Sequence, residues 1–221
     1  MTAGVELALS GGNLTGDVPF SCALRLPGGI VGARSAPGAR GDLARLVDDL
    51  VRAHGLTPEQ IGAVRLDVGP GSYTGLRVAV TFVRFLQRFG GVAVQAVDSL
   101  ALLAARAAMS PPTGRVVAVL DARRERMHRQ AFTVRPGAVV ATAGPAALPL
   151  ADVLADLRPD DLVVVPANLP PVLREPLAAR ASVFEVRDLV AAEMWTPGLP
   201  FVAASAADLE PRYLMASYAE D

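Results

Sequence analysis

Lysine is absent from these 221 residues: all 21 basic side chains are arginine, set against 22 carboxylates for a formal charge of −1. A Walker phosphate loop, which needs Lys followed by Ser or Thr, is thereby excluded. The near balance of charge also removes any overall attraction for a polyanion, so tight binding of RNA by this chain alone is not expected. Histidine is nearly absent too. The only two, His54 and His128, stand far apart, so no H-x-x-x-H or H-E-x-x-H metal pair can form. The single Cys22 cannot make an internal disulfide, and its place in an apolar run reads as a small buried side chain rather than a nucleophile. No apolar run approaches the roughly 20 residues of a spanning helix, and the N-terminus lacks a basic n-region. A cytoplasmic protein without membrane contact is expected.

What is present in abundance is apolar material, 52% of the chain, and one stretch organises it. From Ile61 to Phe89 a run with Val64, Leu66 and Val68 on one face stops at Gly69-Pro70-Gly71 and reopens as a helix. Ser72 or Thr74 can cap that helix, while Gly71 and Gly75 permit positive φ or close approach by another backbone. Strand, glycine turn and helix N-terminus can cradle an anion, or can simply be a tight βα connection. A dinucleotide fingerprint is excluded, because Gly69, Gly71 and Gly75 are spaced G-x-G-x-x-x-G and Pro70 removes one amide donor.

The run Gly69-Pro70-Gly71-Ser72-Tyr73-Thr74-Gly75-Leu76-Arg77 resembles the signature of the TsaB (YeaZ) family, bacterial partners in making threonylcarbamoyladenosine in tRNA. Weaker echoes follow in order at Val97-Asp98-Ser99-Leu100, Asp121-Ala122-Arg123-Arg124 and Leu209-Glu210-Pro211-Arg212-Tyr213-Leu214. The resemblance implies an α/β chain with the actin-like ATPase (ribonuclease H-like) fold, built as two small lobes with the second reduced. It implies a non-catalytic scaffold for the catalytic paralogue, TsaD, alongside the associated ATPase, TsaE. A homodimer when alone, and tRNA contact that is weak or made through the complex, complete that picture. Two departures bear on chemistry. The first strand of the family ends in an Asp-Thr-Ser type motif, where this chain has Leu9-Ser10-Gly11-Gly12. The paired histidines that hold metal in the catalytic paralogue are here Ser99 and Leu103. No catalytic residue, metal ligand or cofactor is therefore assigned, and ATP is left to the partner. The other class of function is a residual enzyme of this fold, a small-molecule kinase or a glycoprotease-type hydrolase.

Along the chain, 5–9, 20–26 and 30–34 read as an antiparallel meander, and Leu43, Leu46, Val47, Leu50 and Val51 as the apolar face of a helix closed by Gly55. Thr57-Pro58-Glu59-Gln60 has the form of a capping box. The lobes are expected to be 1–110 and 111–221, divided at Pro111–Gly114. The second lobe should hold strands at 115–120, 126–134, 138–142, 161–165 and 183–186, with helices at 150–157, 171–179 and 188–194. Trp195 reads as a packing anchor.

The helix after the signature is apolar over most of its circumference. Val78, Phe82, Phe85 and Phe89 form one face and Leu76, Val80 and Val83 another, so it is buried on two sides by an intrachain sandwich or by a second subunit. The interface is placed on Leu43, Leu46, Val47, Leu50, Leu76, Val80 and Val83. Arg123, Arg124, Arg126 and Arg129 are the one dense basic group, readable as a solvated strand edge or as a contact for tRNA or an acidic partner. After Asp121-Ala122-Arg123 the family commonly carries a Gly-Glu-Val-Tyr-like run, replaced here by Glu125, Arg126, Met127 and His128.

Overall fold

The computed structural model describes residues 4–16, 18–36, 42–109 and 115–214. In chain order the elements are β1 (Val5–Ser10), β2 (Ser21–Leu26), β3 (Gly29–Arg34), α1 (Leu43–Ala53), β4 (Ile61–Asp67), α2 (Tyr73–Gly90), β5 (Ala93–Val97), α3 (Ser99–Ala105), β6 (Arg115–Arg123), β7 (Arg126–Arg135), β8 (Ala138–Ala141), β9 (Ala146–Pro149), α4 (Leu150–Asp156), β10 (Leu162–Pro166), α5 (Pro171–Ala178), β11 (Ser182–Val186) and β12 (Val202–Ala204). Short 3-10 turns occupy Pro58–Gln60, Arg106–Met109 and Ala191–Trp195.

The chain divides into two units, each with a mixed sheet and its own helices. Of the described residues, the first holds those up to Asp98 together with Val190–Trp195 and Phe201–Arg212, and the second holds those of 99–189 together with Thr196–Pro200, Tyr213 and Leu214. This differs from the expected split after residue 110. The expected junction at 111–114 lies outside the described residues. The α3 helix belongs to the second unit, because Leu100 to Ala105 bury completely and the helix packs on β6 and β7. The C-terminal stretch returns to the first unit because Leu209 enters that unit's core.

The first sheet runs β12-β5-β4-β1-β2-β3, and the second β11-β10-β6-β7-β8, with β9 paired to the leading half of β7. The two sheets repeat one pattern, an antiparallel three-strand meander whose first strand pairs in parallel with a further strand, which pairs in parallel with the next. Parallel neighbours need crossover helices, which α1 and α2 supply in the first unit and α4 and α5 in the second. The second unit is reduced in its helices, 7 and 8 residues against 11 and 18, and keeps its strands.

Local signals account for most of the boundaries. Asp42 caps α1 through the Arg45 amide at 3.1 Å, and Gly55 at φ +68 follows its end. His54 is the exposed C-cap residue, in keeping with a structural role at the helix end. The capping box forms, with the Gln60 side chain accepting the Thr57 amide at 2.8 Å. Two short strands were not foreseen. Their pairing is supplied by a distant neighbour, β7 for β9 and β5 for β12, and four or three residues carry too little period to read. The helix expected at 188–194 is one 3-10 turn, and what holds it is tertiary. The guanidinium of Arg65 on β4 lies 5.7 Å from the Trp195 ring and 4.8 Å from that of Phe201, donates to the Met194 carbonyl at 2.8 Å and pairs with Glu6 at 3.3 Å. Trp195 Nε1–H donates to the same Glu6 at 2.9 Å, so Trp195 is a packing anchor with its polar atom satisfied.

The hairpin between β6 and β7 turns at Arg124 and Glu125, both with positive φ (52° and 60°), after a bulge that leaves Arg123 at φ +67. Two positive φ values at the centre of a two-residue loop are the type I′ pattern, which favours Asn-Gly. Glu125 stands where the resemblance puts glycine. Glu125→Gly is expected to stabilise the protein by about 1 kcal/mol, because glycine adopts this conformation without a Cβ penalty. A urea melt that shifts to a lower midpoint would contradict this.

Candidate functional site

The parallel strands β1, β4 and β5 end side by side, the place where open α/β sheets build their sites, and the signature turn leaves from there. Ser72 caps α2: its Oγ accepts the Gly75 amide at 3.3 Å, and its own amide donates to the Gly12 carbonyl at 2.8 Å. The end of β1 is thereby stitched to the turn. A Cβ on Gly75 would fall on the carbonyl oxygen of Gly11, one on Gly11 would fall on that of Gly75, and one on Gly71 would stand 2.6 Å from the carbonyl oxygen of Gly12. Gly11, Gly12, Gly71 and Gly75 thus form a backbone-to-backbone contact.

Below this contact lies Asp67, fully buried at the end of β4. One carboxylate oxygen accepts the Ser10 hydroxyl at 2.8 Å and the other the Gly69 amide at 3.0 Å. Asp67 thereby ties the last residue of β1 to the backbone of the turn, one oxygen on a side-chain hydroxyl and the other on an amide. Asp98, after β5, is held above the ordinary carboxylate range by burial, and the charge of Asp67 adds to this, while Arg212 opposes it. Arg212 donates to Asp98 at 2.7 Å and its amide donates to the Val68 carbonyl, also at 2.7 Å. The C-terminal segment therefore crosses the root of the signature turn. Sequence reasoning named residues 69–77 as the site, quoted Ser10, Asp98 and Arg212 only within runs compared with the family, and missed Asp67; that these four gather at the root of the turn was not foreseen.

Of the signature residues, Gly69, Pro70, Gly75 and Leu76 are buried, whereas Tyr73, Thr74 and Arg77 are exposed. Arg77 donates to the Tyr73 hydroxyl at 2.6 Å and stands over its ring. Among the described residues no three His, Cys, Asp or Glu side chains gather as a metal site.

The expected interface residues need correction. Leu43, Val47, Leu50, Val80 and Val83 lie in the core of their own unit, Leu76 is fully buried and Leu46 packs against that core. The outward face of α2 is the other one: Val78, Phe85 and Phe89 are 41%, 59% and 78% exposed, Phe82 is half-buried beside them, and the rings of Phe85 and Phe89 stack 5.6 Å apart. Both faces are apolar, so periodicity marks them equally, and only the position of the sheet distinguishes them.

The basic cluster also divides. Arg129 is buried and ion-paired with Asp156, beside Arg115, which pairs with Asp161 at 2.9 Å. Burial works against ionised Asp161, but bonds from Arg115 and from the Arg158 amide outweigh it and hold the carboxyl below its usual range. Arg126 donates to the Ala147 carbonyl at 2.6 Å and so fixes β9. Only Arg123 and Arg124 are exposed, at the hairpin tip. On the same strand burial pushes His128 down to about 4 from its ordinary 6.5, with Asp121 opposing. The unfolded chain therefore binds a proton that the folded one refuses between those values. Stability present above pH 6.5 is lost as pH falls toward 4, by about 2 kcal/mol once the partial exposure of His128 is discounted. Wild type should lose about 2 kcal/mol of stability relative to His128→Phe as pH falls from 6.5 toward 4, read from urea melts of both; parallel profiles would refute the assignment.

With this geometry the comparisons with known proteins agree. A family described as TsaD, tRNA N6-adenosine threonylcarbamoyltransferase, matches residues 22–167. The chain belongs to that family. YeaZ from Pseudomonas aeruginosa shares the fold at a TM-score of 0.71 and 21% identity, covering 94% of this chain and 100% of its own. An uncharacterised protein described as similar to peptidase YeaZ from Pseudomonas aeruginosa does so at 0.74 and 23%, covering 96% and 100%. No curated protein sequence matches the chain. The resemblance carried by residues 69–77 is borne out, the family by its own match and the YeaZ fold by these two structures, and with it the actin-like, ribonuclease H-like class. Among the described residues, no helix is long and apolar enough to cross a membrane.

Proposed function

We propose that this chain is a non-catalytic partner of a catalytic TsaD paralogue in threonylcarbamoyl transfer to the tRNA adenosine beside the anticodon, acting in the cytoplasm. It needs no metal or nucleotide of its own, leaves ATP to the TsaE-type ATPase, and meets tRNA weakly or through the assembled complex. The observation that carries this reading is the exposed aromatic stripe on α2, Val78, Phe85 and Phe89, which a lone soluble chain has no reason to keep bare. The signature turn supports it, since its glycines close on the backbone of β1 and leave that space filled. That contact fixes the first turn of the proposed docking helix.

The test is reconstitution. Purified TsaD paralogue, TsaE, activated donor and tRNA should modify tRNA at least tenfold faster with this chain than without it, and the chain alone should neither turn over ATP nor retain metal through gel filtration. Full activity without the chain, or ATP turnover that survives further purification of it, would overturn the reading.

A further inference from the structure

As far as Leu209 the C-terminal stretch of the first unit is held several times over. After β12 has paired with β5, Gln87 donates to the Ala204 carbonyl at 3.1 Å and Arg84 to that of Ala207 at 3.4 Å. The Ser205 carbonyl closes a turn by accepting the amides of Asp208 and Leu209, and Leu209 enters the core, 2% exposed. Past Leu209 the fastening changes. Glu210 and Arg212 are exposed, and Pro211, half-buried, has no amide to donate. Among the described residues the hydrogen bonds that hold 210–212 down both come from Arg212, its amide to the Val68 carbonyl and its guanidinium to Asp98, each at 2.7 Å.

Beneath this short arm is the entry to the signature turn. Val68 joins β4 to Gly69, and a Cβ on Gly69 would stand 3.2 Å from the Arg212 carbonyl oxygen, so the arm rests on the first peptide of the turn. The Asp98 side chain is 17% exposed and that of Arg212 44%. Burial and the charge of Asp67 both disfavour ionised Asp98, and Arg212 favours it. Solvent therefore reaches the cation of the pair, while opening leaves the carboxylate with the charge of Asp67 and no cation of its own.

We propose that 210–212 is a releasable arm, hinged where Leu209 is set in the core and latched by Arg212 on Asp98, which covers the ends of β4 and β5 and opens without unfolding the sheet. Closed, it clamps the first peptide of the signature turn and shuts the strand ends by a contact within the chain. Open, it frees the Val68 carbonyl and bares Asp98. A segment held at one residue opens locally, well below the cost of global unfolding, and a half-exposed ion pair is a weak fastener. The arm is independent of the proposed partner role.

Amide hydrogen exchange of the full chain, read residue by residue by NMR, tests it. Arg212→Ala should lower protection about tenfold at position 212 and at Gly69, while Leu209 and the amides of β1 and β4 keep wild-type protection. Arg212→Lys, which keeps the charge, should stay within about threefold of wild type. Asp98→Asn should loosen the same two amides, and the double variant Arg212→Ala with Asp98→Asn should be no looser than Arg212→Ala, because both substitutions remove one contact. Protection lost equally at Leu209 and along the strands would show that the arm is not a separate element. Unchanged protection at Gly69 would show that it does not hold the turn. Additive effects of the two substitutions, or an Arg212→Lys protein as loose as Arg212→Ala, would show that the ion pair is not the latch. Any one of these results overturns the proposal.

Discussion

Replacing Gly75 with alanine should cost the protein roughly 3–5 kcal/mol, enough to unfold much of it at ambient temperature. The added Cβ would fall on the Gly11 carbonyl oxygen, and neither backbone is free to retreat. Gly11 follows directly on β1, which pairs on both sides, with β2 and with β4. Gly75 sits in the first turn of α2, where its amide bonds to Ser72, and the Ser72 amide in turn bonds to Gly12. Gly71→Ala should be similarly harmful, with its Cβ 2.6 Å from the Gly12 carbonyl oxygen. The control is Gly144→Ala in the second unit, where nothing lies within 4 Å and stability should be unchanged. Urea denaturation of the three variants checks this, and a Gly75→Ala protein as stable as wild type would show that the contact is not held shut.

The two faces of α2 should respond in opposite ways to charge. Val80 is 2% exposed and Val80→Arg places an unpaired charge in the first unit's core, at a cost of about 3–5 kcal/mol; the protein should be largely unfolded or aggregated. Phe85 is 59% exposed, so Phe85→Glu should leave the melting midpoint within about 0.5 kcal/mol of wild type. It should nevertheless weaken capture of the proposed partner, the TsaD paralogue, on the order of 100-fold, because an aromatic anchor at the centre of the strip is replaced by a hydrated charge in an apolar contact. Circular dichroism with light scattering reads the first effect and a binding titration the second. A folded Val80→Arg protein would mean that α2 is turned the other way, and undiminished binding by folded Phe85→Glu would remove the stripe from the interface.

Much of the architecture was legible in the sequence because its signals are local. Alternation over six residues sets β1, β2 and β3; Asp42 and Ser72 announce helix starts; the capping box at Thr57 to Gln60 forms as written. The run from Gly69 to Arg77 located the turn and named the family, since a strand that must stop, a helix that must start and glycines that must pass close to another backbone leave few alternatives. These features depend on neighbours within a few residues, and the physics that selects them acts at the same range.

What tertiary structure decided is whatever depends on the other side of a contact. A helix apolar on two faces carries no mark of which face meets its own sheet, so Val80 and Phe85 exchanged the roles expected of them. Arginines written as one cluster separated into a buried pair partner, a carbonyl donor and two exposed side chains, because alternation along β7 and the carboxylates of α4 and the turn before β10 sort them. Asp67 came to accept the Ser10 hydroxyl at the end of β1, a contact that only the parallel pairing of Leu9 with Leu66 could reveal. Residues of the C-terminal segment, Leu209 and Arg212, returned to the first unit because its core and the Val68 carbonyl had room for them, a long-range choice with no local signature. Sequence by itself determined the elements with strong local period, the turn and the family; burial and pairing between distant residues decided the two shortest strands and which side chains are structure and which are surface.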